Sequence, residues 1–85
     1  MPKTLFDFMG YCFFFYSNEG DEPVHVHVSK GTPSESNAKF WIRGDEVILE
    51  HNKAQIAPGD LNKIKKYISL NKKEVVFSWF RHFGK

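Results

Sequence analysis

The chain of 85 residues is long enough for one domain and too short for a second one. Hydrophobic residues make up 41% of it and aromatic residues 16%, which excludes a disordered chain and favours a small core filled by large rings. The single cysteine, Cys12, excludes an internal disulfide and predicts a reducing, cytoplasmic location. No apolar run approaches the ~20 residues of a membrane span, so we expect no role in a membrane.

The net charge of +2 is unevenly distributed along the chain. Residues 1–52 hold four Lys and Arg residues against eight Asp and Glu residues, a net charge of −4. Residues 53–85 hold eight against two, a net charge of +6. The basic half could meet RNA, DNA or an acidic partner protein, although solvated helix faces give the same pattern.

The first half of the chain has the two-residue periodicity of β-strands. Residues 3–9 predict either a short strand or an apolar arm, and four clearer strands follow at 11–17, 24–30, 38–43 and 46–51. The strand at 11–17 is apolar on both faces, so we expect the helices to cover one face. The N-terminal arm or a second subunit would cover the other. In the last strand Val47, Leu49 and His51 would share one face.

The period changes to three and four residues in the second half, which predicts two helices. Pro58 suits the first position of one helix, and Asn71 with Glu74 resembles the capping pair that starts another. The apolar face of the second helix is predicted to consist of Val75, Val76, Trp79, Phe80 and Phe83. The predicted fold is therefore a single α+β domain, in which two C-terminal helices cover one face of an antiparallel sheet of about four strands.

The segment Pro23–Val28 carries the only local pattern that suggests chemistry. Its alternation places His25 and His27 side by side on one face of a strand, which we expect to be the open face. Neutral imidazoles can act as general base and general acid near neutral pH, which would suit RNA cleavage without a metal, with Arg43 steadying phosphate. They could also bind a metal if His51, Glu50 or Cys12 supplied a third ligand. Otherwise they pack against Trp41 in a structural role.

Four other residues suggest contact with nucleic acid. Lys39 and Trp41 share a sheet face, where an aromatic ring and a cation could stack on and neutralise RNA, and Lys63 and Lys66 lie on the predicted first helix. The chain lacks phosphate-loop, dinucleotide-binding, HExxH, CxxC and GxSxG motifs, which disfavours nucleotide hydrolysis, Rossmann chemistry and structural zinc fingers. We therefore assign no cofactor and no metal from the sequence.

The histidine strand and the elements around it resemble a family of small bacterial proteins, the domain-of-unknown-function family 4160. Its members have a Pro-Pro-His-Phe-His strand, a hairpin, a helix that begins with Pro and a last helix with Trp; Pro58, Leu61 and Trp79 match the downstream pattern. Val26 replaces the usual Phe, Glu22 replaces the first Pro, and the loop at 31–37 is longer. The resemblance implies a gene encoded beside a small partner gene, in pairs that have been interpreted as toxin–antitoxin modules.

The leading hypothesis is thus one component of a toxin–antitoxin-like pair that acts by binding a small cognate partner protein, with RNA as a further candidate ligand. The alternatives are a metal-independent ribonuclease toxin that uses His25 and His27, and a small metal-binding protein. Whether the chain is an enzyme stays open at this level. The apolar strand at 11–16 also predicts a homodimer or a stable complex with the partner.

Overall fold

A computed structural model describes residues 2–84 of the chain. In it, the alternating apolar and polar residues of the first half form an antiparallel meander. Each strand pairs with its neighbour in sequence. The five strands are β1 (Pro2–Phe8), β2 (Tyr11–Tyr16), β3 (His25–Lys30), β4 (Ala38–Arg43) and β5 (Glu46–Asn52). The predicted α+β fold is confirmed, and the sheet has five strands where about four were expected.

The additional strand is β1, which is joined to β2 by a tight hairpin. Met9 and Gly10 form the two-residue turn, and both have positive φ angles, of 55° and 79°. Such a turn matches the right-handed twist of the flanking strands, and glycine adopts its second position without strain. Phe8 consequently pairs with Tyr11, and residues 2–8 become an edge strand of the sheet.

Two helices cover one face of the sheet, as predicted. Helix α1 (Pro58–Leu70) has Pro58 in its first turn, and helix α2 (Lys72–Phe83) follows after Asn71. Tyr67 stacks on Phe8 with ring centroids 3.9 Å apart, and Trp79 meets Phe15 edge to face at 5.1 Å. The core between the layers contains the fully buried side chains of Phe13, Phe15, Val26, Val28, Ala38, Ile64, Ile68 and Val75. Among residues 2–84, no helix has the length and apolarity needed to cross a membrane.

Two details of the helices differ from the sequence-based expectation. The Asn71 side chain caps no N–H of α2; its Nδ2 donates instead to the carbonyl oxygen of Tyr67 at 2.9 Å, so it closes α1. Phe80 was expected in the core but is 45% exposed, because the buried stripe of α2 runs through Val75 and Trp79.

The opposite face of the sheet is covered by the chain itself. Phe14 is fully buried there, although it points away from the helices. The segment 31–37 folds over this face: Tyr16 Oη donates to the Ser34 carbonyl oxygen at 3.1 Å, and Asn37 Nδ2 donates to the same oxygen at 2.7 Å. The rings on both faces of β2 are therefore buried within a single chain, with Phe6 of β1 lying 5.0 Å from Phe13 on the helix side, which removes the argument from which a homodimer was predicted.

A β-bulge in β5 changes the face on which His51 lies. Phe40 pairs with Leu49 and Lys39 pairs with His51, so Glu50 is an extra residue between these pairs. Trp41 Nε1 donates to Glu50 Oε1 at 2.8 Å on the outer face, and His51 stands opposite Lys39 on the same side. The prediction that His51 shares a face with Val47 and Leu49 is wrong, because one extra residue reverses the alternation.

Candidate functional site

Three side chains meet at the start of β3 and form the Glu19 cluster: Glu19, His25 and His27. The Nε2 atom of His25 lies 2.9 Å from Glu19 Oε2, and the Nε2 atom of His27 lies 2.7 Å from the same oxygen. All three residues are buried, with exposed fractions of 8%, 0% and 5%. Two imidazoles thus converge on a single carboxylate oxygen in an environment that water scarcely reaches.

The alternation of β3 and the loop before it together build this cluster. His25 and His27 lie on one face of β3, as predicted, but this face is not open: His25 contacts the rings of Trp41 and Trp79, and His27 contacts Phe14. The loop between β2 and β3 turns back at the end of the sheet where β3 begins. Glu19 Oε1 accepts a hydrogen bond from the Tyr16 N–H at 2.8 Å, which fixes the carboxylate and leaves Oε2 directed at the histidines.

The other nitrogen of each imidazole faces an acceptor. His25 Nδ1 lies 2.9 Å from the Pro23 carbonyl oxygen, and His27 Nδ1 lies 2.9 Å from Asn37 Oδ1. The Asn37 amide group is oriented by its Nδ2 hydrogen bond to Ser34, so its oxygen is turned toward His27. Because a carbonyl oxygen only accepts hydrogen bonds, both Nδ1 atoms carry a proton. In the neutral ring, each Nε2 atom then directs a lone pair at the centre of the cluster. The 2.7 Å hydrogen bond between His27 Nε2 and Glu19 Oε2 therefore requires a second proton on the His27 ring while no metal is bound.

The electrostatics of the cluster favour an ionised Glu19. Burial opposes its charge, but the contacts with His25 and His27 and the hydrogen bond from the Tyr16 N–H outweigh that effect and hold the pKa of the carboxyl well below its usual range. His25 Nε2 is close to Oε2 but poorly aligned with it, so this buried nitrogen has no hydrogen-bond partner among the described residues. A buried polar atom in this position is normally satisfied by protein, water or an ion.

The cluster contains the elements of a metal centre. The three ligand atoms, Glu19 Oε2 and the two Nε2 atoms, all lie within 4.8 Å of one another. Metal-bound histidines commonly donate their other ring N–H to a carbonyl oxygen or carboxylate, which fixes the tautomer and the ring orientation. Both Nδ1 contacts already have that arrangement. A polar depression of about 370 Å³, lined in part by His27, Asn37 and His51, lies beside the cluster.

The third ligands considered from the sequence lie elsewhere. Glu50 accepts the Trp41 hydrogen bond, and Cys12 is buried on β2, where burial raises the pKa of its thiol. His51 faces the depression beside His27, and burial with the nearby cations Lys53 and Lys39 lowers the pKa of its ring. None of the three belongs to the group of ligand atoms around Glu19.

The residues proposed for RNA binding do not form one surface. Lys39 lies 4.3 Å from the centre of the Trp41 ring but is also paired with Glu22 at 2.8 Å. Lys63 and Lys66 are exposed on α1, which packs on the other face of the sheet. The four predicted contacts are therefore divided between two sides of the molecule.

Arg43 does not meet the histidine rings. It is exposed at the end of β4, two residues beyond Trp41, and Trp41 is the residue that pairs with His25. Two residues along a strand span about 7 Å. All four ring nitrogens of His25 and His27 face other groups, so the predicted acid–base set of His25, His27 and Arg43 is not assembled around a common substrate position.

Glu19 and Asn37 are the members of the site that the sequence did not reveal. Glu19 stands in a polar loop with Asp21 and Glu22, and nothing in the composition marks which carboxylate turns inward. The one available signal was the position of Glu19 in the sequence. A short loop that joins two antiparallel strands brings the chain back near His25, the first residue of β3. Asn37 lies immediately before β4, and its role depends on how segment 31–37 folds back, which no local pattern indicates.

Comparison with known proteins identifies a family but no characterised relative. No curated protein and no solved structure matches the chain significantly. The family model described as Domain of unknown function (DUF4160) matches residues 10–80, which is most of the chain, and the protein belongs to that family.

Proposed function

We propose that this protein binds a divalent first-row transition-metal ion through Glu19 Oε2, His25 Nε2 and His27 Nε2. The observation that carries the proposal is the convergence of both Nε2 atoms on one carboxylate oxygen, while both Nδ1 atoms donate to oxygens outside the cluster. In this tautomer each imidazole is a ligand and cannot donate a hydrogen bond to Glu19 unless a second proton is added.

The donor set indicates the class of metal. Two imidazole nitrogens and one carboxylate oxygen suit Zn²⁺, Fe²⁺ and their neighbours, whereas Mg²⁺ and Ca²⁺ prefer oxygen ligands alone. Ligands about 2.1 Å from an ion in tetrahedral geometry lie about 3.4 Å from one another. Glu19 Oε2 would therefore withdraw by roughly half an ångström to admit an ion. A site with three protein ligands also leaves room for water or a substrate atom.

The energetics of the cluster favour an occupied site. A buried donor or acceptor without a partner costs about 1–3 kcal/mol, and His25 Nε2 is such an atom. An ion would use the lone pairs of both rings and the charge of Glu19 at once. A second proton on His27 alone would give a single ion pair with Glu19, but His25 Nε2 would still lack a partner, which an ion would supply.

The ribonuclease alternative receives less support from this geometry. A general base or acid must reach the proton that it transfers, within about 2.6–3.2 Å or through one water. The ring nitrogens of His25 and His27 face Pro23, Asn37 and Glu19, and His25 is fully buried. RNA cleavage by this pair would require the cluster to open.

A second candidate function is the binding of a partner protein, as expected for one half of a toxin–antitoxin-like pair. The supporting observation is a pair of phenylalanines on the outer side of α2: Phe77 is 65% exposed and Phe80 is 45% exposed. Neighbouring exposed aromatic rings on a small domain are typical of interaction surfaces. This candidate and the metal site concern different parts of the molecule, so one does not depend on the other.

Metal analysis with matched histidine variants tests the leading proposal. The wild-type chain, stripped with chelator and dialysed against Zn²⁺, should retain close to one ion per chain by mass spectrometry. Glu19→Gln, His25→Ala and His27→Ala should each lose most of it, whereas His82→Ala, which alters an exposed histidine of α2, should retain it. Equal zinc in the wild type and all variants would contradict the proposal, as would no zinc in any of them.

A further inference from the structure

We propose that the groove between α2 and the β4–β5 turn binds an amphipathic, acidic helix of a partner protein. This inference rests on the partner-binding function proposed above and names the surface and the partner's chemistry. The groove has a volume of about 390 Å³ and a mostly apolar floor. Its lining consists of Gly44, Lys72, Lys73, Val76, Phe77 and Phe80.

The exposed rings of α2, Phe77 and Phe80, lie outside the buried stripe of this helix. Val75 and Trp79 face the sheet and are buried, and a helix of 3.6 residues per turn places Phe77 on the outward side. Phe77 and Phe80 are three residues apart and make an apolar stripe with Val76 along the helix, and the cation Lys73 lies one turn before Phe77. Apolar stripes with this spacing are the usual receiving surface for an amphipathic helix.

The charges around the groove indicate an acidic partner. Lys73 lines the groove, and Arg81 lies one turn beyond Phe77 on the far side of the exposed rings, where it lines the depression beside β1. Neither forms an ion pair among residues 2–84. Lys72 is held by Asp45 at 2.7 Å, on the turn that forms the other wall of the groove. Carboxylates flanking an apolar ridge could pair with Lys73 and Arg81 while the ridge covers Phe77 and Phe80.

The same charges disfavour a second copy of this chain as the occupant. A two-fold pairing of α2 helices about Phe77 would bring Lys73 of each copy toward Arg81 of the other, and like charges placed opposite each other are destabilising.

Selection from a displayed peptide library tests this proposal while the natural partner is still unidentified. A phage library of random 16-residue peptides, biased toward helix, would be selected on the full-length wild type alone, and the enriched peptides would then be measured on Phe77→Ser/Phe80→Ser. We expect enriched peptides with net negative charge and apolar residues three and four apart. They should bind the double variant and Lys73→Glu at least tenfold more weakly. Circular dichroism melting of the variants controls for folding, since both rings are exposed.

Several results would overturn the inference. Peptides that are neutral or basic would contradict the acidic partner, and acidic peptides unaffected by the substitutions would show that partners bind elsewhere, with the partner-binding function intact. Failure to enrich any peptide would contradict both the surface and that function. Wild-type dimers in sedimentation, absent in the double variant, would assign the groove to self-association. Flotation of the wild type, but not the variant, with phosphatidylglycerol vesicles would assign it to lipid.

Discussion

The two faces of the sheet are buried by different kinds of structure. On one face, helices α1 and α2 pack on apolar side chains such as Val26, Val28 and Phe40. On the other, the loops at 17–24 and 31–37 enclose polar side chains through hydrogen bonds, and the edge of Trp79 from α2 also reaches His25. These polar side chains are Glu19, His25, His27 and Asn37. The stability of the first face depends on how much apolar area is buried and how well the volume is filled. The stability of the second depends on hydrogen-bond geometry, because each buried polar atom needs a correctly oriented partner.

This difference has a consequence for how substitutions act. A packed apolar face tolerates changes that conserve volume, whereas a buried polar cluster is sensitive to the loss of one atom. The buried polar groups add little of the apolar area that drives folding. We therefore expect the function of the polar face to depend on their capacity to bind. Substitutions on the two faces should therefore differ in their effect on stability, and we expect the largest loss on the apolar face.

Trp79→Ala should produce the largest loss of stability in the chain. Trp79 is 2% exposed and its ring lies against Phe15, His25 and Phe83, so truncation leaves a large cavity beside the helix face. We expect a loss of about 3–5 kcal/mol in urea unfolding. The matched change Phe77→Ala, on the outward side of the same helix, should alter stability by less than about 0.5 kcal/mol. Similar losses for both would contradict the assignment of core and surface on α2.

Glu19→Gln should destabilise the metal-free protein by about 1–3 kcal/mol, because the hydrogen bond between His27 Nε2 and Glu19 Oε2 loses its charged acceptor while the shape is kept. Urea unfolding in the presence of chelator measures this loss. Glu22→Gln is the control: it removes a similar charge from a partly exposed pair with Lys39 and should change stability by at most about 1 kcal/mol. If both substitutions have equally small effects, the Glu19 cluster does not stabilise the fold.

The contribution of Glu19 should depend on pH in a defined direction. The folded-state pKa of its carboxyl lies below the unfolded value, so the folded protein favours the ionised form. The stability difference between the wild type and Glu19→Gln should therefore be complete above about pH 5 and shrink as the pH falls below the unfolded pKa of about 4.3. Urea titrations at pH 7, 5 and 3 measure it. A difference that grows on acidification would contradict the sign.

Asn37→Ala should weaken zinc binding by about 10–100-fold while leaving the three ligands in place, since groups that orient metal-bound histidines typically have effects of that size. The reason is the Nδ1 contact, which fixes the His27 ring. Competition with a chromophoric chelator gives the affinity, and Asn62→Ala, on the exposed side of α1, is the control. Equal affinities for the two variants would mean that Asn37 only orders its loop.

The sequence predicted the layers of this fold better than the contents of its polar face. Alternation located β2 to β5 and assigned His25 and His27 to one side, and the helical spacing located α1 and α2. The hairpin at Met9 and Gly10 was missed because a non-glycine residue with positive φ is not visible in composition. Phe80 was assigned to the core because helical spacing identifies apolar positions without saying how wide the buried stripe is.

Local sequence patterns could not predict the Glu19 cluster. The sequence presented two histidines with an unknown third ligand, and Glu19 fills that position only because a loop without periodicity returns to the start of β3. The bulge at Glu50 likewise moved His51 to the face of His27, and one extra residue in a strand leaves no distinct signature. Contacts that depend on how a loop closes or on strand register can be identified only in the folded structure.

Anomalous diffraction from crystals grown with Zn²⁺ tests the central claim most directly. We predict a single strong peak at the zinc edge, about 2.0–2.2 Å from Glu19 Oε2 and from Nε2 of His25 and His27, with the Nδ1 contacts to Pro23 and Asn37 preserved. Crystals of Glu19→Gln grown in the same way should lack it. A wild-type cluster without anomalous density, while zinc binds at surface histidines such as His82, would contradict the claim and leave the cluster a structural ion network.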